Sequence, residues 1–286
     1  MKNTPLTIYQ RNIELAGFLE DAAQNEAINV LQQLFLNIAQ NRFDQCSSVY
    51  LWGRVGRGKT YVMDCFLQAC QSDASAIGIQ RIHYYRFMQF VHTQLAVHQG
   101  RRDPLVYVAQ DLLKSCKVLC LDEFFVSDIG DAMLLGRLMK VLFEQGLVLV
   151  ATSNVEPTAL YKDGLQRANF LPAINAIYKH MQVVELTGNK DHRERTLHTL
   201  QNYFLINNES KQSLIIPDKK PGVIDILGRE INYLAIKNKT IVFDFEKLCL
   251  GPRSHFDYIE IAKQFNTVYL LNVPALGGAM YEHIKA

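Results

Sequence analysis

The segment Gly53-Arg54-Val55-Gly56-Arg57-Gly58-Lys59-Thr60 constrains this chain more than any other. It fits GxxxxGK[ST]. It follows an apolar run, Val49 to Trp52, and opens a stretch with Val62, Met63, Phe66 and Cys70 at helical spacing. A strand, a glycine-rich turn and a helix in that order make a phosphate-binding loop. The glycines let successive backbone N–H groups converge on phosphate oxygens, and the helix start adds its positive end. On this reading the whole segment from Gly53 to Thr60 binds a nucleotide. Arg54, Val55 and Arg57 serve through their amides, the two arginines with their side chains outward. Lys59 reaches the β- and γ-phosphates, and the Thr60 hydroxyl binds Mg²⁺. The bland alternative is a glycine-rich turn carrying a surface lysine.

A second signal lies in Val118-Leu-Cys-Leu-Asp122-Glu123, an apolar strand that ends in two carboxylates. Such a pair alone is ordinarily a solvated turn. Beside a phosphate-binding loop, Asp122 is expected to hold Mg²⁺ with Thr60, and Glu123 to polarise the attacking water. A further run, Leu147 to Thr152, ends in Ser153-Asn154, where a polar tip can meet the γ-phosphate or the water. Arg167 follows in Leu-Tyr-Lys-Asp-Gly-Leu-Gln-Arg. It is read either as an arginine that serves a neighbouring subunit's nucleotide or as one half of a structural ion pair.

Around these motifs the pattern is α/β. Residues 21–38 place Ile28, Leu31, Leu34, Phe35 and Ile38 on one helical face, with Asp21 as a candidate cap. Apolar runs at Val49–Trp52, Ile77–Tyr84, Lys117–Asp122, Leu147–Thr152 and Met181–Leu186 are continuous rather than alternating, as parallel strands covered on both faces require. The helix from Asp128 to Gln145 turns Ile129, Met133, Leu135, Leu138, Met139, Leu142 and Phe143 inward. The run Ile77–Tyr84, lying between the two motifs, points to the additional-strand branch of P-loop enzymes. The expected organisation is an N-terminal helical segment (1–44), a P-loop domain (45–205) and a smaller mixed α/β region (206–286). Within the last, His192 to Leu205 leads in as a helix. A polar linker follows, then strands at Val223–Leu227, Tyr233–Ile236, Thr240–Phe245 and Thr267–Val273, and a helix from His255 to Phe265.

Composition narrows the function. With 30 Lys+Arg against 28 Asp+Glu, the net charge is +2, which does not suit a general nucleic-acid or membrane-surface binder. Basic clusters such as Arg101-Arg102 and Lys219-Lys220 are short. The six cysteines include no CxxC and mostly sit in apolar runs, as free buried thiols of a reducing compartment do. The opening residues carry no apolar signal segment and no run is long enough to span a bilayer, so a cytoplasmic protein is expected. No HExxH, GxSxG or metal-spaced histidine set occurs, and Asn189-Lys190-Asp191 misplaces the aspartate of a guanine-reading NKxD. The aromatic group Tyr84, Tyr85, Phe87 and Phe90 reads as core packing ahead of a gripping surface.

These blocks together resemble the ZapE family of bacterial cell-division ATPases, relatives of AFG-like mitochondrial AAA+ ATPases. The resemblance runs from about Asp21 to Pro274. It rests on Asp21-Ala-Ala-Gln24, LWGRVGRGKTYVMD, RIHYYRFMQFVH, VLCLDEFFVSDIGDAMLLGRL, ATSN, LYKDGLQRANFLP and FDFEKLCLGPRSHFDYIEIA. It implies a P-loop AAA+ parallel sheet flanked by helices, ATP hydrolysis with Mg²⁺, and an oligomer with nucleotide sites between subunits. It also implies that Asn154 is a sensor and Arg167 an arginine finger. The implied partner is FtsZ, the division-ring filament, with recruitment to the division site at the inner membrane. Two departures stand out. The C-terminal region mixes strand and helix where AAA+ lids are helical. The chain also ends soon after LLNVPALGG, where the family continues into an arginine-rich helix, so it is read as shortened. The rival is an AAA+ loader or initiator acting on nucleic acid, which shares the same ATP motifs.

Overall fold

Continuous apolar runs become a parallel sheet because strands covered on both faces have no side on which to place polar residues. The computed structural model describes residues 3–16, 20–73, 78–187, 220–251 and 255–274. The chain forms two compact units, Met1–Gln201 and Asn202–Ala286. In the first, strands β1 (Ser48–Trp52), β2 (Ile79–His83), β3 (Val118–Asp122), β4 (Val148–Ser153) and β5 (Met181–Glu185) lie in the order β2-β3-β4-β1-β5. Every pairing is parallel. The central strands β3 and β4 are buried throughout, whereas the edge strand β2 exposes Gln80 and Arg81. β4 separates the strand that enters the phosphate-binding loop from the strand that ends in Asp122. That is the arrangement of the additional-strand branch.

Successive side chains alternate across the sheet and divide the core in two. Val49, Leu51, Val118, Cys120, Val148 and Val150 pack under α1 (Pro5–Ala16), α2 (Ala22–Ala39) and α3 (Lys59–Asp73). Tyr50, Leu119, Leu121, Leu149 and Ala151 pack under α4 (Tyr84–Val97), α5 (Pro104–Ser115), α6 (Ile129–Glu144) and α7 (Leu171–His180). Asp21 caps α2, its carboxylate accepting from Ala23 N at 3.0 Å and Gln24 N at 3.1 Å. The expected inner face of α2 is buried in full. On α6 the expectation fails at one end. Ile129 is exposed, because the first helical residue leans past the packed turns, while Met133 and Phe143 are half-buried. Tyr84 and Phe87 of the aromatic group are buried and Phe90 packs against the core.

The second unit is mixed, as expected. β6 (Gly222–Ile226) and β7 (Arg229–Tyr233) form an antiparallel hairpin. β8 (Ala235–Lys237) pairs antiparallel with β9 (Thr240–Asp244), which pairs parallel with β10 (Thr267–Leu271). Helices α8 (Phe245–Cys249) and α9 (His255–Gln264) complete it, around Ile226, Ile231, Ile241, Phe243, Leu248 and Ile261. The run Tyr233–Ile236 is not one strand. Tyr233 ends β7 and Ala235 starts β8, while Phe245 opens a helix under an Asp244 cap. The expected helix from His192 and its following linker lie outside the described residues, apart from the linker's end at 220–222. The six cysteines are free. Cys65, Cys70, Cys116 and Cys120 are buried, but Cys46 and Cys249 are only half-buried. No helix among the described residues is long and apolar enough to cross a membrane.

Candidate active site

Because the five strands run the same way, their carboxyl ends share one edge of the sheet, where open α/β folds bind ligands. That edge collects Gly53 after β1, His83 at the end of β2, Asp122 and Glu123 at the end of β3, and Ser153 and Asn154 at the end of β4. Backbone bonds tie the ends together. Gly53 N donates to Ser153 O at 3.3 Å, Phe124 N to Thr152 O at 2.7 Å and Leu186 N to Trp52 O at 2.7 Å.

The loop between β1 and α3 has the shape a phosphate cradle needs. Gly58 sits at φ +80°, which favours glycine, and a Cβ there would lie 2.4 Å from Gln24 Nε2. A Cβ on Gly53 would lie 2.5 Å from the Leu186 carbonyl oxygen. Arg54, Val55 and Thr60 are exposed, and Gly56, Arg57 and Gly58 are half-buried. At Arg57 the helix α2 touches the loop through Gln24 Nε2, which donates to the Arg57 carbonyl. Lys59 is buried, its ammonium donating to Gly53 O at 2.7 Å and Arg54 O at 2.9 Å. The lysine braces the start of the loop whose far end it occupies.

Asp122 is buried, and both its carboxylate oxygens are engaged. Oδ1 accepts from the Thr152 hydroxyl at 2.9 Å, and Oδ2 accepts from Arg81 Nε at 2.8 Å and from Arg81 Nη2. Thr152 Oγ1 also accepts the Glu123 N–H at 3.1 Å, so its single proton is directed at Asp122. Ser153 Oγ donates to Phe124 O at 2.7 Å. These bonds knit the turn after β3 to the end of β4. In that turn Glu123 adopts φ +53°, a left-handed conformation that costs a non-glycine residue roughly 1–2 kcal/mol and that clusters at working sites. Its side chain is largely exposed, 3.8 Å from His83 Nε2.

Arg81 reaches a second acid, its Nη1 donating to Asp64 Oδ1 at 2.6 Å. Burial lifts the Asp64 carboxyl above its ordinary range, with Arg81 pulling it down and Asp122 pushing it up. Burial works against the Arg81 charge, but the bonds and charges of Asp122 and Asp64 overcome it and hold its pKa above the usual value.

Asn154 is exposed at the tip of β4. Arg167 opens a short 3-10 turn, Arg167–Asn169, packed against α6 and α7, and its Nη2 donates to the Thr158 carbonyl. Its Nε is buried without an acceptor. The structure therefore brings the loop, Asp122, Glu123 and Asn154 to one edge and gives Arg167 a bond within its own chain, though not to a carboxylate.

Arg81, Asp64, Thr152 and Gln24 are absent from the sequence-based set. Arg81 carried one signal: an arginine inside an expected strand, two residues before its end at His83. Thr152 carried another, a hydroxyl on a buried strand beside the acidic one.

For Mg²⁺ the donor chemistry fits. Thr60 and Asp122 offer hard oxygens, and no cluster of three or more His, Cys, Asp or Glu exists among the described residues to suit a softer or fully protein-caged ion. Magnesium in phosphate sites takes one or two carboxylates and the substrate's own oxygens.

The AFG1-like ATPase family model matches residues 3–284. The chain is 42% identical over 238 residues to the cell division protein ZapE of Escherichia coli K12, covering 80% of this chain and 62% of that one. It is 32% identical over 261 residues to lactation elevated protein 1 homolog B of Danio rerio, covering 82% of this chain and 51% of that one. The chain spans less than two thirds of the length of these curated relatives. AMPPCP-bound DnaA from Aquifex aeolicus aligns at TM-score 0.45 and 15% identity, over 72% of this chain and 58% of that one.

Proposed function

The chain belongs to the AFG1-like ATPase family, and from that premise we propose that it hydrolyses ATP with Mg²⁺ at the carboxyl edge of its AAA+ sheet to remodel a protein partner in cell division. One observation carries this: Gly53, Asp122, Glu123 and Asn154 stand at the ends of adjacent parallel strands joined by hydrogen bonds. The loop amides and the start of α3 bind the phosphates, and Lys59 exchanges the Gly53 and Arg54 carbonyls for phosphate oxygens. Thr60 and Asp122 would hold the metal, which would supply positive charge against the phosphates. Glu123 orients the attacking water and takes its proton. Asn154 contacts the γ-phosphate or the water.

Arg167 serves the nucleotide of a neighbouring subunit in a homo-oligomer, which requires it to leave the Thr158 carbonyl. Loss of the γ-phosphate then releases Asn154 and Arg167 and lets the assembly move. The partner is FtsZ, as the resemblance to the ZapE family implies, and the work is done in the cytoplasm. The experiment is ATP turnover per subunit across a dilution series, with Glu123→Gln as the blank, followed by light scattering of FtsZ filaments with ATP. Turnover that rises with concentration and filaments that shorten support the proposal. A rate equal to the blank at every concentration overturns it, and filaments left intact by a working ATPase overturn the partner.

A further inference from the structure

Arg81 lies on the edge strand β2, in register with Cys120 of β3. Its guanidinium spans two acids on different elements, Asp122 at the end of β3 and Asp64 on α3. Asp64 is one helical turn beyond Thr60 and therefore on the same face of α3. The two carboxylates stand within reach of one planar fork, and without a cation between them they would repel. Asp122 cannot turn away, because Thr152 holds its other oxygen. Two carboxylates that meet at one guanidinium also suit a divalent ion, which needs few protein oxygens and brings water for the rest. Yet a single positive charge on a side chain is already seated there, with three donated bonds.

We infer that Arg81 is a built-in counter-cation that keeps divalent metal from occupying the Asp64–Asp122 pair, so that metal enters this edge only in company with nucleotide phosphates. The positive charge of Arg81 repels a free dication. It repels far less an ion whose charge is cancelled by the phosphates it carries. Arg81 thus acts through Asp122 as a positioning residue, fixing Oδ2 of the carboxylate and leaving the lone pair of Oδ1 that Thr152 does not use for the incoming ion. The inference rests on Asp122 being the metal-side acid, but it concerns the protein without nucleotide.

The test is Mn²⁺ binding, followed by electron paramagnetic resonance on the full chain prepared free of nucleotide. Arg81→Gln should gain one Mn²⁺ site per chain, at least about tenfold tighter than any in wild type, from removal of one nearby positive charge. Arg81→Lys keeps the charge and should bind Mn²⁺ no better than wild type, a contrast that a purely structural role would not produce. Adding Asp64→Asn to Arg81→Gln should abolish the new site. Circular dichroism verifies folding, and Arg81→Ser, which leaves room for the ion and its waters, stands in where the glutamine variant does not fold. A folded neutral variant with no gain in Mn²⁺ binding overturns the inference. So does a gain that survives Asp64→Asn, or one that Arg81→Lys shows equally. None of these results bears on ATP turnover, and a chain without turnover can still pass this test.

Discussion

The Nε2 amide of Gln24 donates to the carbonyl of Arg57 at 3.1 Å, so a residue of the second helix holds the phosphate-binding loop. Gln24 is buried, and its Oε1 accepts from the Tyr9 hydroxyl at 3.3 Å, which fixes the amide's orientation. The first two helices thereby brace the loop. Gln24→Glu keeps the shape, turns the donor into an acceptor facing a carbonyl, and adds negative charge beside the phosphates. It should lower stability by about 1–3 kcal/mol, the cost of an unpaired buried polar group, and weaken ATP binding several-fold. Thermal melts and fluorescent-nucleotide titration measure the two effects. Tyr9→Phe, which leaves the Arg57 bond in place, should show the smaller loss.

Both loop glycines combine a positive φ with a collision, and they differ in what a Cβ would strike. Gly58→Ala meets a left-handed backbone penalty of roughly 1–2 kcal/mol and also the end of the Gln24 side chain. Gly58→Ala with Gln24→Ala relieves the collision and leaves the penalty, so the pair should be less destabilising than the sum of the single changes. Gly53→Ala meets the Leu186 carbonyl, which is backbone. Shortening the Leu186 side chain should therefore recover nothing. Denaturant midpoints of the five variants decide the matter.

Thr152 joins Asp122 to Glu123 through one hydroxyl. Thr152→Val preserves volume but leaves the Glu123 N–H and one Asp122 oxygen without that partner, costing about 1–3 kcal/mol in stability. The turn that aims Glu123 then loosens, so kcat should fall more than the KM for ATP rises. Thr152→Ser keeps the hydroxyl and should retain most of the activity. A serine variant that loses activity while the valine variant keeps it would show that the methyl contact, not the hydroxyl, is what matters.

The residues readable from sequence are those whose chemistry is set by neighbours along the chain. The loop glycines, Lys59, Asp122-Glu123 and Ser153-Asn154 each sit at the end of an apolar run, and the parallel sheet places those ends together. Arg81, Thr152 and Gln24 act across the register between distant segments, such as β2 with β3 or α2 with the loop, and no spacing announces such pairings. The fold-back of Lys59 onto Gly53 and Arg54 was equally invisible, because the motif speaks only of the phosphate-bound arrangement. Helix α1 was legible only as part of a helical 1–44 segment, without bounds of its own; Leu6, Ile8, Tyr9 and Ile13 turn to the core. The break between β7 and β8 at Leu234 falls within a continuous apolar run, where pattern cannot locate a change of sheet.

Arg167 donates to the Thr158 carbonyl within its own chain, and its Nε is buried without an acceptor. A guanidinium with unused donor capacity is poorly settled where it is, because an unpaired buried N–H costs about 1–3 kcal/mol. Its release toward a neighbour's phosphate would recover that cost. Arg167→Ala should therefore bind ATP as wild type does while turning it over roughly 10³-fold more slowly, the scale of a lost arginine finger. Mixing identifies whose nucleotide the arginine serves. Lys59→Ala retains Arg167 but has a crippled loop, and Arg167→Ala retains the loop but lacks the finger. Each should be inactive alone. Mixed in equal amounts, they should restore measurable turnover, since some interfaces then pair an intact loop with an intact arginine. No restoration, with co-assembly verified by light scattering, would place Arg167 in service of its own chain and make the Thr158 bond its working position.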